Sequence, residues 1–258
     1  MLKPHAPLTR YYRDADGSDA EHSAFLRRIF DDTAADYERV ERVLALGTGA
    51  WYRRDALRRA GLGAGMRVLD VGIGTGLVAR AALQLAGPAG RLVGVDPSPG
   101  MLDSLHLSEA QAQQVELRSG RAEALPCDDA GFDFVSMGYA LRHIADVAAA
   151  FAEFHRVLRP GGRLLVMEIT RLDGRLGNAL LKGYVRSVVP LIARLVSRHR
   201  DTAELWRYHW DTIEACIAPQ SVLEALRAAG FADVRRSVSV GVFSEYTATK
   251  PAMAPSQP

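Results

Sequence analysis

Residues Val68 to Gly76 read Val-Leu-Asp-Val-Gly-Ile-Gly-Thr-Gly, a β-branched run that ends in three alternating glycines. A strand that turns through glycines into a helix brings its backbone close to a ligand and offers it the free N–H groups of the helix N-terminus. Gly72, Gly74, Thr75 and Gly76 therefore form a candidate binding turn for a nucleotide-like molecule. The turn does not by itself choose the molecule. Gly74, Gly76 and Ala79 also fit the looser dinucleotide pattern, which keeps an oxidoreductase open. Asp70 argues against it: a carboxylate at the mouth of this strand would repel a pyrophosphate, whereas it would favour the ammonium and sulfonium groups of S-adenosyl-L-methionine. Asp96 closes the next β-branched run and can accept hydrogen bonds from two ribose hydroxyls, a contact that either cofactor would use.

A second constellation is Arg142–His143, which follows a later apolar run ending at Gly138 and Tyr139. In an open α/β sheet the carboxyl ends of the strands face the ligand, so this pair is placed to act on a substrate. A guanidinium stabilises a phenolate or enolate, and an imidazole takes a proton at neutral pH. His143 and Arg142 are thus the candidate catalytic residues, and Tyr139 is a candidate pocket wall. Glu168, at the end of a fifth run, either faces the substrate or caps a loop. Tyr184, Tyr208 and His209 are candidates for an aromatic substrate pocket. His155 is expected to face solvent, and Cys127 to fill a small apolar space.

The elements that must position these residues follow from periodicity. Strands are expected at Arg67 to Val71, Leu92 to Val95, Val115 to Arg118, Phe132 to Met137 and Arg163 to Ile169. Helical patterns lie between them at Leu77 to Ala86, Pro99 to Leu107 and Asp146 to Leu158, the alternation expected of parallel βαβ units. Helices are also expected from Glu21 to Leu46 and from Gln220 to Ala229, and a hairpin turning at Gly241 closes the chain. The apolar stripe Leu180 to Val196, kinked by Pro190 and flanked by arginines, reads as a lid able to rest on a membrane surface.

Composition bounds the alternatives. With 258 residues, 48% of them hydrophobic, the chain can bury one sizeable core, and a disordered protein is excluded. A net charge of only +2 gives no ground for a nucleic-acid partner. Two cysteines are too few for a disulfide framework or a structural zinc site, so no metal is expected and a reducing cytoplasm is the default.

The stretches VLDVGIGTG, GVDPSPGML, AEALP, FDFVSMGYALRHI and LRPGGRLLVMEIT resemble those of a class I S-adenosylmethionine-dependent methyltransferase. More narrowly they resemble the ubiquinone/menaquinone biosynthesis C-methyltransferases, the UbiE-like enzymes. Ile29 to Arg54 and Trp206 to Ile213 extend the likeness outside the common core. The resemblance implies a doubly wound, Rossmann-like α/β fold with a mostly parallel seven-stranded sheet, a C-terminal antiparallel hairpin and a helical lid. It implies one domain, divided into an N-terminal helical segment (1–62), a cofactor core (63–170), a lid (171–215), a C-terminal helix and hairpin (216–250) and a tail (251–258). It places S-adenosyl-L-methionine against Thr75, Asp96, the Arg121–Ala122 pair and Gly138, and Met101 is a further candidate for cofactor contact. Arg121 stands where the family usually carries Asp, and His143 where it carries Asn. The function implied is methyl transfer to a small cyclic, phenolic or quinone-like acceptor. An O- or N-methyltransferase of a secondary metabolite or lipid headgroup is the alternative, ahead of an oxidoreductase or a non-catalytic scaffold. The oligomeric state stays open, with a homodimer compatible with this reading.

Overall fold

The computed structural model describes residues 48–170, 211–239 and 241–252, together with Glu38, Lys182, Gly183 and Ser187. The expected N-terminal helices apart from Glu38, the lid stripe apart from Lys182, Gly183 and Ser187, and the aromatic cluster at Trp206 to Trp210 lie outside the described residues, as do Tyr184, Tyr208 and His209. Among the described residues no helix is long and apolar enough to cross a membrane.

Seven strands form one sheet: β1 (Arg67–Val71), β2 (Arg91–Asp96), β3 (Val115–Ser119), β4 (Phe132–Gly138), β5 (Leu158–Ile169), β6 (Ala232–Ser239) and β7 (Phe243–Thr249). Their order is β3-β2-β1-β4-β5-β7-β6. The first five run parallel, and β7 is antiparallel to both of its neighbours. The chain thus doubles back on both sides of β1, which makes the β1/β4 boundary the switch point where open α/β sheets bind ligands.

The helices are α1 (Gly49–Arg59), α2 (Leu77–Ala86), two short turns α3 (Pro99–Asp103) and α4 (Glu109–Ala112), α5 (Val147–Val157) and α6 (Pro219–Ala228). Alternation along the strands divides the core in two. Leu69, Val71, Val135 and Met137 join the α5 and α6 side, whereas Val68, Phe134, Leu165 and Met167 join the α1 and α2 side. Both faces are covered, so the parallel strands read as continuous apolar runs.

Two element boundaries differ from expectation for identifiable reasons. The expected helix Pro99 to Leu107 ends at Asp103, and Ser108 then starts α4 with a capping box to Gln111. β5 begins at Leu158 rather than Arg163: Leu158 already pairs with Phe132, the register then shifts across a bulge in which Gly161 has φ 80°, and Gly161 and Gly162 exchange backbone bonds with Lys250 of 2.8 and 2.9 Å. His155, expected to face solvent, is half-buried, and one edge of its ring packs against Phe231 at 5.1 Å. Cys127 is buried in the core, with its sulfur 3.8 Å from an Arg118 nitrogen.

Candidate active site

The carboxyl ends of β1, β2 and β4 open onto a cavity of about 450 Å³. Gly72, Gly74 and Thr75 border it, as do Asp96, Met101, Arg121, Ala122, Gly138, Tyr139, Arg142 and His143. The topology therefore brings together eleven of the residues singled out from the sequence, drawn from four separate stretches of chain.

The glycine turn is shaped for close approach. Gly72, Gly74 and Gly76 all have positive φ, at 68, 53 and 86°. A Cβ on Gly74 would meet only the Met101 sulfur, at 4.0 Å, and so would project into the cavity. Gly76 does not border the cavity; a Cβ there would strike Leu105 at 2.2 Å, so its small size serves packing of the helix start. The Thr75 hydroxyl is buried and has no hydrogen-bond partner among the described residues. Arg80 on α2 holds the turn from behind, donating to the Thr75 carbonyl at 3.0 Å, the His106 carbonyl at 3.1 Å and Glu38 at 2.8 Å.

Asp96 lies at the end of β2 and is 7% exposed. One carboxylate oxygen accepts the Gly74 N–H and the other the Ser98 N–H, each at 2.9 Å. The carboxylate thus fixes the glycine turn and the start of α3.

Asp70 departs from its expected position. It shares the face of Val68, under α2, and its side chain is fully buried instead of standing at the cavity. Its neighbour in the ladder, Ser136, donates a hydrogen bond to it at 2.7 Å. Burial pushes the Asp70 carboxyl up to about 7, against the opposing Ser136 bond; Asp96 raises it further and the Ala79 amide lowers it. The strand period explains the difference, since the residue that reaches the cavity is Val71.

Arg142 and His143 sit in a single 3₁₀ turn, Leu141–His143, between β4 and α5. Tyr139 precedes it with φ 61°, a strained value for a non-glycine residue, and donates its N–H to the Met167 carbonyl at 2.7 Å. The Tyr139 ring packs edge-on against Phe243 at 6.3 Å, and Phe243 in turn meets Tyr52 of α1 at 4.9 Å. Arg142 was expected to present its guanidinium to a substrate anion. Instead its side chain is 1% exposed and paired with Glu168, also 1% exposed, at 2.5 Å. Glu168 accordingly does not border the cavity; it accepts the Arg142 guanidinium and backbone N–H from beneath.

Sequence reasoning missed Arg53, Ser98 and Glu123. Arg53, 4% exposed, reaches the cavity wall from α1. Glu123 also borders the cavity and accepts the Ala145 N–H at 3.1 Å. Both lie within stretches that carried the family resemblance, but nothing in their spacing pointed to a cavity. Among the described residues no three His, Cys, Asp or Glu side chains come together as metal ligands would.

Comparison with known proteins bears on what this cavity holds. Residues 18–250 match the ubiE/COQ5 methyltransferase family. The chain is 33% identical over 198 residues to a ubiquinone/menaquinone biosynthesis C-methyltransferase UbiE of Hahella chejuensis, covering 74% of this chain and 80% of that one. It is 33% identical over 245 residues to a demethylmenaquinone methyltransferase of Deinococcus radiodurans, covering 94% of this chain and 100% of that one. A crystal structure of a SAM-dependent methyltransferase from Aquifex aeolicus has the same fold, with a TM-score of 0.54 and 20% identity over 77% of this chain and 89% of that one.

Proposed function

Because the chain belongs to the ubiE/COQ5 methyltransferase family and is an S-adenosyl-L-methionine-dependent methyltransferase, we propose that it methylates a ring carbon of a hydroquinone of the demethylmenaquinone type. Family membership decides between the cofactors that the glycine turn left open. The acceptor is drawn from the relatives' activities. The observation that carries the reading is that His143 borders the same cavity as the glycine turn and Asp96.

The cavity fits the cofactor. We assign the ribose hydroxyls to Asp96, a polar group to the buried Thr75 hydroxyl, the adenine to Met101 and the Arg121–Ala122 backbone, and the methionine end to Gly72, Gly74, Gly138 and Tyr139. Bound there, S-adenosyl-L-methionine supplies a methyl group on a sulfonium, already activated for displacement. The chain's own contribution is orientation, exclusion of water by Val71, Ile73, Val78, Met137 and Ile144, and removal of a proton.

A quinone ring is electrophilic, so its carbon becomes a nucleophile only in the hydroquinone form, once a ring hydroxyl gives up its proton. His143 takes that proton. The ring carbon gains the methyl group and loses its own hydrogen as a proton, and the electron pair of the broken carbon–sulfur bond stays on sulfur. Transfer is expected with reduced demethylmenaquinone and not with the oxidised form; equal rates with both would overturn the assignment. His143→Asn should keep its cofactor affinity and lose about 10²- to 10⁴-fold in turnover, with the loss shrinking as pH rises and the hydroxyl ionises unaided. An unaltered rate and pH profile would remove His143 as the base.

A further inference from the structure

Glu168 stands one residue from the end of β5, with its carboxylate buried between the sheet and the turn that carries His143. Three donors meet it. One oxygen accepts the Arg142 guanidinium at 2.5 Å and the Ile169 N–H at 2.8 Å; the other accepts the Arg142 backbone N–H at 3.1 Å. Across the ladder it faces Ser244, whose hydroxyl lies 2.8 Å from that of Thr170 and receives Arg236 at 3.0 Å. The carboxylate thus lies in a polar seam inside the sheet, on the α5 side.

The turn it holds is a single 3₁₀ turn. His143 and Ile144 donate to the Ala140 and Leu141 carbonyls, at 2.9 and 3.2 Å. In addition, one carboxylate anchors the backbone on each side of His143: Glu168 at the Arg142 N–H, and Glu123 at the Ala145 N–H. A short 3₁₀ turn tethered at both ends presents its middle side chain in one place, which proton transfer requires.

We propose that Glu168 is a positioning residue for the methyl-transfer site: with the Arg142 guanidinium as its buried counter-ion, it fixes the turn that aims His143 into the cavity. Arg142 acts on Glu168 and not on the acceptor. A buried ion pair of this kind is costly to break from either side, because the surviving charge is left in the interior, whereas removing both charges together relieves that penalty.

The test uses the full chain, S-adenosyl-L-methionine and reduced demethylmenaquinone, with Arg142→Met, Glu168→Gln and the double variant. Glutamine keeps an oxygen for the Arg142 N–H but carries no charge. Each single variant is expected to lose at least tenfold in kcat per folded molecule, with cofactor affinity and acceptor KM within about threefold of the parent. The double variant should regain at least tenfold over the weaker single one. The kinetic arm rests on the reading of His143 as the base, so a second arm does not use turnover. The His143 ring resonance, assigned by its absence in His143→Asn, should shift or broaden in both single variants and return towards the parent in the double. If the single variants do not fold, the double decides alone: an active double supports the proposal and a folded, inactive double overturns it. Arg142 would be shown to touch the acceptor if the double regained thermal stability and the His143 signal but stayed as slow as Arg142→Met. Unchanged kcat and an unchanged His143 signal in Glu168→Gln would also overturn the assignment.

Discussion

At Asp70 a carboxyl group is held where its charge is costly, under α2 and close to the site of a cationic cofactor. With its pKa pushed up to about 7 from an ordinary carboxylate value, the folded protein binds this proton more tightly than the unfolded chain does. Its contribution to stability is therefore full at acid pH and is lost as pH rises from about 4 through 7. Asp70→Asn should remove that dependence, so the gap in stability between variant and parent, followed by urea unfolding, should move in favour of the variant across this window. The positive charge of the cofactor favours the ionised carboxylate, so its binding near pH 7 should release a proton. Calorimetry in buffers of different ionisation enthalpy reads that release, which Asp70→Asn should abolish. Asp96 carries a different load, two backbone N–H groups and the assigned ribose contact. Bonds to a charged acceptor are worth about 1.5 to 3 kcal/mol each, so Asp96→Ala should weaken cofactor binding by more than about tenfold. Unchanged affinity would sink the ribose assignment.

Between residue and fold, single cations tie element ends together. The Lys250 ammonium, after β7, donates to the His155 and Leu158 carbonyls at 2.7 Å each and reaches the Arg156 carbonyl at 3.5 Å. It caps the C-terminus of α5, where carbonyls lack partners and the helix dipole favours a cation. Lys250→Met should cost about 1 to 3 kcal/mol and lower Tm by several degrees, with little change in cofactor affinity. Arg156 does the same for the β3–β4 connection, donating to the Leu125 and Cys127 carbonyls as well as to Glu153 and Asp129. That connection carries Arg121, Ala122 and Glu123 to the cavity. Arg80 anchors the glycine turn through the Thr75 carbonyl, so Arg80→Met should raise the cofactor Kd more than it lowers Tm, the opposite of Lys250→Met. Equal effects of the two substitutions on Kd would contradict this division of roles.

For the whole molecule, the parallel strands were legible because most are short β-branched runs ended by a turn or a polar residue, and local pattern suffices to find such runs, whereas their order in the sheet is a non-local property. The cavity was legible because strand ends share an edge, so Gly74, Asp96 and His143 meet although distant in the chain. Two further things were not legible. Whether Asp70 or Val71 reaches the cavity depends on a one-residue phase in the pleat, which an apolar run on both faces does not reveal. The Arg142–Glu168 pair joins residues 26 apart across two strands, and no spacing marks it in advance. Long-range ties outside the sheet were equally invisible, including Arg59 to Glu245 at 2.7 Å, which fastens α1 to β7. The account as a whole stands on one event, carbon–carbon bond formation on a hydroquinone ring by a methyl group delivered in this cavity. The direct measurement is a reaction of the full chain with reduced demethylmenaquinone and S-adenosyl-L-methionine labelled with carbon-13 at the methyl group, followed by NMR of the lipid product. A labelled methyl carbon coupled to a ring carbon is the predicted result; a label found only on oxygen, or no labelled product from enzyme that binds the cofactor, would contradict it.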